Sequence, residues 1–376
     1  MTRSPLLFLS AGEVSGDEHG AALAQALRQR QPGCRMVGLG GVHMRAQGVE
    51  LLADLTPHGA VGLIEQWPHL PAVLAAFWNA RRWLAEHRPD AVVLIDFQGA
   101  NLRLAAQARR LGIPTVYYML PQAWLWGLPG DLRRVSRSAD LLLAAFKPEA
   151  EAYAAAGGKV TYVGHPLLDR RPPSPPGEHS PSPGTVALLP GSRRHEVESL
   201  LPIFLEVARR LLARLPDLRF VLPVPQAALL PSVRARVAAS ELPIALLVGE
   251  SQPDWRRSDL ALLASGTAVL EAAIHDIPCI AAYRVAPLTA AVARWLLRGR
   301  HVTLPNILLG REAVPEFLQA RATAERLTEA SLCLLEDPAA RERQREDYAE
   351  LRRLLGSPGA SQRAADSILA TLELSR

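Results

Sequence analysis

Short, almost continuous apolar runs alternate with longer stretches of helical composition along most of this chain. The apolar runs cover residues 6–9, 91–95, 115–118, 140–145 and 160–163 in the first half, and 186–189, 219–222, 244–248, 260–264 and 279–283 in the second. The helical stretches between them include residues 19–29, 101–111, 197–215 and 268–275. Such runs are typical of strands in parallel sheets that helices cover on both faces. The pattern therefore predicts an α/β protein.

A proline-rich segment over residues 170–184 separates the two halves of this alternation. Proline lacks an amide donor and biases the preceding residue away from helix, so we predict a linker or long surface loop. It divides the chain into an N-terminal domain over 1–169 and a C-terminal domain over 185–345. The tail over 346–376 is helical by propensity and is either solvated or packed back on the first domain. The predicted fold is two Rossmann-like domains with parallel sheets facing a central cleft.

Composition excludes several classes of function. The chain carries 42 Lys and Arg against 37 Asp and Glu, an excess too small to indicate a nucleic-acid partner but compatible with an anionic substrate or membrane surface. Its three cysteines are far apart and predict neither a disulfide framework nor a metal site. No apolar stretch approaches the ~18 residues of a membrane-spanning helix.

Two candidate site segments follow strands of the first domain, at the edge where open parallel sheets bind ligands. The first is the turn Gly12-Glu13-Val14-Ser15-Gly16-Asp17. Its two glycines allow a close approach of the backbone to a ligand, and the alternative is a plain strand–helix turn in which Ser15 or Asp17 caps the next helix. The second holds Asp96, directly after the run at 91–95. A carboxylate there either caps the following helix or acts as a general base.

Two further segments follow strands of the second domain. Gly191 and Ser192 are expected to expose backbone donors, and Arg193 or Arg194 supplies a positive charge suited to a diphosphate. The alternative is a local helix start made by Ser192 and Glu196. His195 beside Glu196 has no second His at zinc-site spacing, so a metal is not predicted.

The fourth segment is Ser265-Gly266-Thr267, which opens a helix whose first N–H groups are suited to phosphate oxygens. Glu271, one turn later, can accept hydrogen bonds from ribose hydroxyls or complement the helix dipole. Because phosphate sites are predicted in two loops of one domain and the Walker signature is absent, the second domain is interpreted as a nucleoside-diphosphate domain.

In order and spacing, these segments resemble the lipid-A-disaccharide synthase family, glycosyltransferase family 19. The matching motifs are AGEVSGD (11–17), GLGG (38–41), VGLIE (61–65), LIDFQGANLRLA (94–105), PQAWLW (121–126), VGHPLLD (163–169), LLPGSRRHEV (188–197), ASGTAVLE (264–271), LPNILLG (304–310) and VPEFLQ (314–319). The chain departs from the family pattern at Gly99, Ala100 and Gly127, all on the acceptor side.

The resemblance implies the GT-B fold and a reaction without a cofactor. UDP-2,3-diacylglucosamine would be joined to 2,3-diacylglucosamine 1-phosphate through an inverting β-1',6 linkage, with release of UDP. Asp96 would be the general base. The implied UDP-binding residues are Ser192, Arg193, Ser265, Gly266, Thr267, Glu271 and Asn306. The implied acceptor-side residues are Gly12, Glu13, Ser15, Gly16, Asp17 and Gln122.

Tryptophan and arginine occur together in two clusters, at Trp78–Trp83 and at Trp295–Arg300. Such segments are either amphipathic helices packed on their own core or helices that lie in a lipid headgroup region. Because the implied substrates carry acyl chains, we expect a cytoplasmic protein that is peripheral on the inner face of the membrane. A homodimer is compatible with the sequence.

Two other functions are compatible with the same fold. One is a UDP-N-acetylglucosamine 2-epimerase, although the chain lacks a clear acid/base cluster facing the second domain and the Trp/Arg clusters would be unexplained. The other is a non-catalytic protein that binds a nucleotide sugar or lipid. The acceptor-side departures favour it, whereas the presence of both Asp96 and Arg193 argues against it.

Overall fold

The computed structural model describes residues 4–55, 70–127, 130–170, 184–224, 227–248, 255–284 and 301–374. The chain forms two compact units: unit 1 comprises Met1–Pro172 with Leu355–Arg376, and unit 2 comprises Pro173–Leu354. The motif at 61–65, most of the proline-rich segment and the cluster at 295–300 lie outside the described residues.

Unit 1 contains a parallel sheet of seven described strands. They are β1 (Leu6–Ala11), β2 (Arg35–Gly40), β3 (Glu50–Asp54), β4 (Ala91–Ile95), β5 (Thr115–Tyr118), β6 (Leu141–Ala144) and β7 (Val160–Tyr162). Their order is β3-β2-β1-β4-β5-β6-β7, so the direction of strand addition reverses between β1 and β4. Open α/β sheets bind ligands at such a switch point. The residues after β1 and β4, Gly12 and Asp96, therefore occupy the position where a ligand is expected.

Helices cover both faces of this sheet. They are α1 (Val14–Arg30), α2 (Val42–Ala46), α3 (Leu70–His87), α4 (Gln98–Arg110), α5 (Ala123–Trp126), α6 (Asp131–Ser136), α7 (Lys147–Ala155) and α8 (Leu167–Arg170). Alternate strand residues enter separate cores on the two faces. Tyr117 packs in the core that contains α3 and α4, and Tyr118 packs in the core that contains α1.

Unit 2 repeats this plan with six described strands. They are β8 (Thr185–Leu189), β9 (Arg219–Pro223), β10 (Ile244–Leu247), β11 (Leu260–Ala264), β12 (Cys279–Tyr283) and β13 (Glu316–Leu318), in the parallel order β10-β9-β8-β11-β12-β13. The helices are α9 (Arg194–Arg214), α10 (Leu230–Ser240), α11 (Thr267–Ile274), α12 (Leu304–Leu309), α13 (Ala324–Glu336) and α14 (Pro338–Leu355). The order reverses here between β8 and β11, which places Gly191 and Ser265 after the two strands of the switch point.

The last helix, α15 (Ala360–Leu374), belongs to unit 1 and packs against α1. Ala364 and Ile368 are buried in the core with α1, and Arg30 of α1 lies 2.8 Å from Asp366. The Asp169 carboxylate caps α15 by accepting hydrogen bonds from the N–H groups of residues 359, 360 and 361 at 2.6, 2.9 and 2.6 Å. The end of the chain is thereby fixed to the first sheet.

The predicted fold class is confirmed: both units are α/β with parallel sheets, and every apolar run predicted as a strand lies on one. Strands β2, β3 and β13 were not predicted. Within the described ranges, no helix is long and apolar enough to cross a membrane.

Candidate active site

The turn after β4 has an unusual backbone. Asp96 and Phe97 both have a φ of +49°, in the left-handed region that non-glycine residues rarely adopt. Each such residue costs on the order of 1–3 kcal/mol and persists only where its surroundings enforce it. Helix α4 then begins at Gln98, and its N-cap residue is Phe97.

Hydrogen bonds from buried polar side chains stabilise the backbone of this turn. The Asp96 carbonyl oxygen accepts hydrogen bonds from Asn101 Nδ2 and from the Tyr117 hydroxyl, both at 2.8 Å. Asn101 Oδ1 in turn accepts a hydrogen bond from the Ser10 hydroxyl at 2.7 Å. Asn101, Tyr117 and Ser10 are all fully buried. The main chain of the turn is therefore anchored to β1 and β5, the two neighbours of β4.

The Phe97 ring is held between two groups. It stacks on Phe77 of α3 with ring centroids 6.3 Å apart, and a Cβ at Gly12 would overlap it. Gly12 was predicted to line the acceptor side, and here it makes room for Phe97. The turns after β1 and β4 therefore pack directly against each other.

The cap on α1 that the sequence offered as an alternative for Ser15 or Asp17 is not formed. Helix α1 begins at Val14, after an N-cap Glu13 without a side-chain cap, so Ser15, Gly16 and Asp17 lie in its first turn. Gly16 is buried close to the end of β4, and Ser15 is partly buried.

The Asp17 carboxylate instead holds the loop after β2. It accepts hydrogen bonds from the N–H groups of Gly41, His43 and Met44 at 2.7, 2.9 and 3.0 Å, and it is almost completely buried. Its two oxygens therefore cap α2. Gln122, the remaining acceptor-side residue, is exposed in the turn after β5.

Two buried titratable side chains near this edge of the sheet were missed from sequence. Glu149 accepts hydrogen bonds from the N–H groups of Ala145 and Phe146 at 2.7 and 3.3 Å. Burial raises the pKa of Glu149 to about 8, and the Asp96 charge acts in the same direction. Burial lowers the pKa of His165 to about 3, so this ring is neutral. A Glu at the third helical position is a capping-box signal, and it could have identified Glu149.

In unit 2, the loop after β8 is organised by Glu196. The Glu196 carboxylate accepts hydrogen bonds from the N–H groups of Ser192 and Arg193 at 3.1 and 3.3 Å, and it lies 3.1 Å from Arg193 Nη1. Gly191 has a φ of +119°, and a Cβ there would overlap this carboxylate. The expectation that Ser192 exposes its backbone donor is therefore corrected, and the helix-start alternative describes this loop.

The segment after β11 is more open. Gly266 is exposed, with no atom near the position of a Cβ, and α11 begins at Thr267 without a side-chain cap. Ser265 and Thr267 are partly buried on either side. The first N–H groups of a helix carry partial positive charge, so this loop can accept an anion.

Glu271 is paired with an arginine that sequence analysis did not identify. Arg256, on a 3-10 turn at Trp255–Arg257, places its Nε and Nη2 atoms 2.7 Å from Glu271 Oε1. Both side chains are about five-sixths buried. The two residues are 15 positions apart on different elements, and no local sequence signal links them.

Asn306 is fully buried and its polar groups are used within unit 2. Its Nδ2 group donates to the Val314 carbonyl and to Glu316 Oε1, and its Oδ1 accepts from the N–H groups of Ala313 and Val314, all at 2.7–2.8 Å. An amide has two donors and two acceptor lone pairs, so all four are occupied. The predicted direct contact between this side chain and UDP would require these bonds to break.

A family model described as lipid-A-disaccharide synthetase matches residues 7–370. The chain belongs to this family. Among its relatives, the lipid-A-disaccharide synthase of Myxococcus xanthus is 38% identical over 99% of both chains. That of Anaeromyxobacter dehalogenans strain 2CP-C is 39% identical over 97% of both. The predicted family is thereby confirmed, and the protein is a glycosyltransferase.

Solved structures with the same fold include enzymes of different activity. The calicheamicin glycosyltransferase CalG4 matches with a TM-score of 0.61 and 19% identity over the full length of both chains. A UDP-GlcNAc 2-epimerase from Neisseria meningitidis, bound to UDP-GlcNAc, matches with a TM-score of 0.60 and 14% identity over 98% of this chain and 100% of its own. At such identities the likeness shows the GT-B fold alone, so it does not favour the epimerase alternative.

Proposed function

We propose that this enzyme joins UDP-2,3-diacylglucosamine to 2,3-diacylglucosamine 1-phosphate and releases UDP. Membership of the family over almost the whole chain supports the reaction. The observation that carries the mechanism is the strained turn that presents Asp96 at the switch point of the first sheet. Strain of this kind is concentrated at functional sites, where surrounding structure sustains it.

In the proposed reaction, the acceptor 6-hydroxyl oxygen attacks the anomeric carbon of the donor. A new C–O bond forms, the bond from the anomeric carbon to the diphosphate breaks, and the configuration inverts. Asp96 takes the hydroxyl proton as general base, and the electron pair of the broken bond leaves on UDP. Stabilisation of the leaving diphosphate is the second requirement of this displacement.

Unit 2 is proposed to supply that stabilisation. The N-terminus of α11, with Ser265, Gly266 and Thr267, would bind phosphate oxygens, and Arg193 would add a positive charge. Glu271 would accept hydrogen bonds from the ribose. Ser192 would contribute through its place in the Glu196-held loop, and Asn306 would act through the loop it holds, because its own polar groups are occupied.

On the acceptor side, Glu13, Ser15 and Gln122 are proposed to face the acceptor. Gly12, Gly16 and Asp17 are assigned supporting roles, since Gly12 accommodates Phe97, Gly16 lies close to the end of β4 and Asp17 holds the loop after β2. Gly99, one of the departures from the family pattern, faces open space, with no atom near the position of a Cβ. The acceptor pocket is therefore expected to be less filled there than in relatives with a larger residue.

The same proposal includes a location on the inner face of the cytoplasmic membrane. Within the first Trp/Arg cluster, the Trp78 side chain is 65% exposed on α3, and Arg81 lies over its ring at 5.1 Å. Trp83 instead packs inward against Phe8. An exposed aromatic ring flanked by arginines suits an anionic headgroup region.

The direct test is to incubate the purified protein with UDP-2,3-diacylglucosamine and 2,3-diacylglucosamine 1-phosphate and to analyse the products by mass spectrometry. The expected result is a disaccharide phosphate together with one UDP for each disaccharide. A matched incubation without acceptor should yield no UDP beyond the background. A donor epimerised at C2 would instead support the isomerase alternative, and binding without turnover would support a non-catalytic protein.

A further inference from the structure

We infer that Tyr117 is a positioning residue for Asp96, acting with Asn101 through the carbonyl oxygen of the strained turn. This inference rests on the proposed role of Asp96 as general base. Tyr117 lies on β5, beside β4, and its hydroxyl hydrogen-bonds the backbone of Asp96. Its effect on the reaction is therefore expected to pass through the orientation of the Asp96 carboxylate.

The hydrogen bonds to this carbonyl determine the direction of the peptide group between Asp96 and Phe97. Two donors, Asn101 Nδ2 and the Tyr117 hydroxyl, meet one oxygen at 2.8 Å each. If the turn relaxed to negative φ values, the oxygen would move away from both donors. The buried Tyr117 hydroxyl would lose this acceptor, and Asn101 Nδ2 would keep only its longer contacts to the Ser10 and Ile95 carbonyl oxygens at 3.3 and 3.2 Å. The loss of those bonds opposes the relaxation that the left-handed φ values would otherwise favour.

The Tyr117 hydroxyl is suited to this role because it stays protonated. Burial raises its pKa well above the ordinary value, and the negative charge of Asp96 acts in the same direction. The group is therefore protonated, and able to donate a hydrogen bond, at every pH below the ordinary pKa of a tyrosine. It can hold the turn without taking part in proton transfer.

The ring and the hydroxyl of Tyr117 have separable roles. The ring fills the core that contains α3 and α4, and a phenylalanine ring would occupy the same volume. The next residue, Tyr118, provides a matched control because it is equally buried on the same strand but packs in the opposite core. Replacing either tyrosine by phenylalanine removes one buried hydroxyl, whereas only Tyr117→Phe removes a bond to Asp96.

The test is a double-mutant cycle on Tyr117→Phe and Asp96→Asn, with Tyr118→Phe as the control. Tyr117→Phe should lower kcat by roughly tenfold, the loss expected for one misplaced catalytic contact, while the Kd for UDP stays unchanged. Tyr118→Phe should remain within about twofold of wild-type kcat. In the Asp96→Asn background, Tyr117→Phe should cause no further loss, because residues that act through one group are not additive.

Three results would overturn the inference while leaving the role of Asp96 intact. The first is a Tyr117→Phe enzyme with wild-type kcat. The second is a loss that Tyr118→Phe reproduces, since a general weakening of the core would then explain both. The third is a full additional loss in the Asp96→Asn background, which would mean that Tyr117 acts independently. An Asp96→Asn enzyme with near-wild-type kcat would instead reject the general base itself, and the inference with it.

Discussion

The turn after β4 in unit 1 and the nucleotide loops of unit 2 are organised in opposite ways. In unit 1, Asn101 and Tyr117 bind the main chain of Asp96 and so fix the direction of the turn. In unit 2, the candidate side chains are themselves engaged: Arg193 with Glu196, Glu271 with Arg256, and Asn306 with Glu316. In unit 1 the internal partners thus hold the main chain of the candidate residue, and in unit 2 they bind the candidate side chains.

This difference implies different binding behaviour. A base held by its backbone needs little reorganisation before reaction, which is favourable for catalysis. A charged side chain that is already paired must exchange or extend its contacts when a diphosphate or ribose arrives. Part of the gain from the ligand is then offset by the bond that is given up. We therefore expect substitutions in unit 1 to change kcat and those in unit 2 to change affinity or stability.

The largest effect is expected for Asp96→Asn, which should lower kcat by about 10²–10⁴-fold through loss of general-base catalysis. Asparagine tolerates the left-handed region better than most residues, so this variant should keep the turn where alanine would add strain. Steady-state kinetics and UDP calorimetry on the same preparation measure the two quantities. UDP affinity should be unchanged.

The control is Asp366→Asn, which neutralises an exposed carboxylate on α15 of the same unit. It should behave as wild type in both measurements. Two results would contradict the proposed difference between the two units. One is an Asp96→Asn enzyme with kcat within a few-fold of the wild type, and the other is a loss of UDP affinity as large as the loss of kcat.

The next largest effect is expected for Asn306→Ala. The substitution removes all four hydrogen bonds of a fully buried amide and leaves the Glu316 carboxylate and three main-chain groups short of a partner. We expect unit 2 to lose about 2–4 kcal/mol of stability, since each buried unsatisfied group costs about 1–3 kcal/mol and neighbours relax in part. Calorimetric unfolding without ligand measures this loss.

Asn79→Ala, on the exposed surface of α3, is the matched control and should leave the unfolding transition unchanged. An Asn306→Ala protein with the unfolding transition of the wild type but much weaker UDP binding would contradict this structural role. Asn306 would then be a ligand contact, as the family resemblance first implied.

A smaller effect is expected for the Arg256–Glu271 pair and for Arg193. The substitutions Arg193→Ala and Glu271→Ala should each weaken UDP binding by about 1.5–3 kcal/mol through loss of a charge-assisted contact. Arg256→Ala should weaken it through Glu271, so the Arg256→Ala/Glu271→Ala double variant should lose less than the sum of the single losses. Isothermal titration with UDP gives all of these values.

Arg209→Ala breaks an exposed ion pair with Glu206 in the same unit and should not affect UDP binding. Fully additive losses at Arg256 and Glu271 would mean that each contacts UDP separately. If Arg193→Ala and Glu271→Ala both kept the UDP affinity of the wild type, the diphosphate and the ribose would not bind at the positions proposed for unit 2.

The sequence predicted the strands that a local apolar pattern determines, but it did not predict contacts between residues far apart in the chain. The runs that became β4, β5, β11 and β12 were predicted to the residue, and β4, β11 and β12 are apolar runs bounded on both sides by polar or turn residues. Strand β2 was missed because glycines interrupt it, and the reason for one of them is visible only in three dimensions. A Cβ at Gly38 would overlap the Leu9 carbonyl of the neighbouring strand.

The candidate site shows the same division. Asp96 was selected from its place after a strand, but the hydrogen bond from Tyr117 to its carbonyl oxygen joins residues 21 positions apart. The cap made by Asp17 reaches across 24–27 residues to another helix, so local helix rules assigned it to the wrong one. No sequence motif pointed to Arg256. Each of these contacts depends on which strands are neighbours in the sheet. The periodicity of the sequence does not predict that order.

The smallest effects are expected at the lipid surface, where the two units can again be compared. Trp78, Arg81 and Arg82 of α3 form the candidate contact in unit 1, whereas the Trp295–Arg300 cluster lies outside the described residues. Replacing Arg81 and Arg82 by Gln should weaken binding to anionic vesicles by about fivefold for each arginine near the surface, and Trp78→Ala should weaken it further. Sedimentation with vesicles of increasing anionic-lipid content measures this directly.

The same substitutions at Arg298 and Arg300 decide whether one or both clusters contact lipid. Leu354→Ala, which removes another exposed apolar side chain, should have no effect. Added salt should reduce binding of the wild type, since exposed charges are screened beyond about 10 Å at 0.1 M salt. If the wild type stays in the supernatant with anionic vesicles at low salt, neither cluster is a membrane contact and the acylated substrates must reach the enzyme by another route.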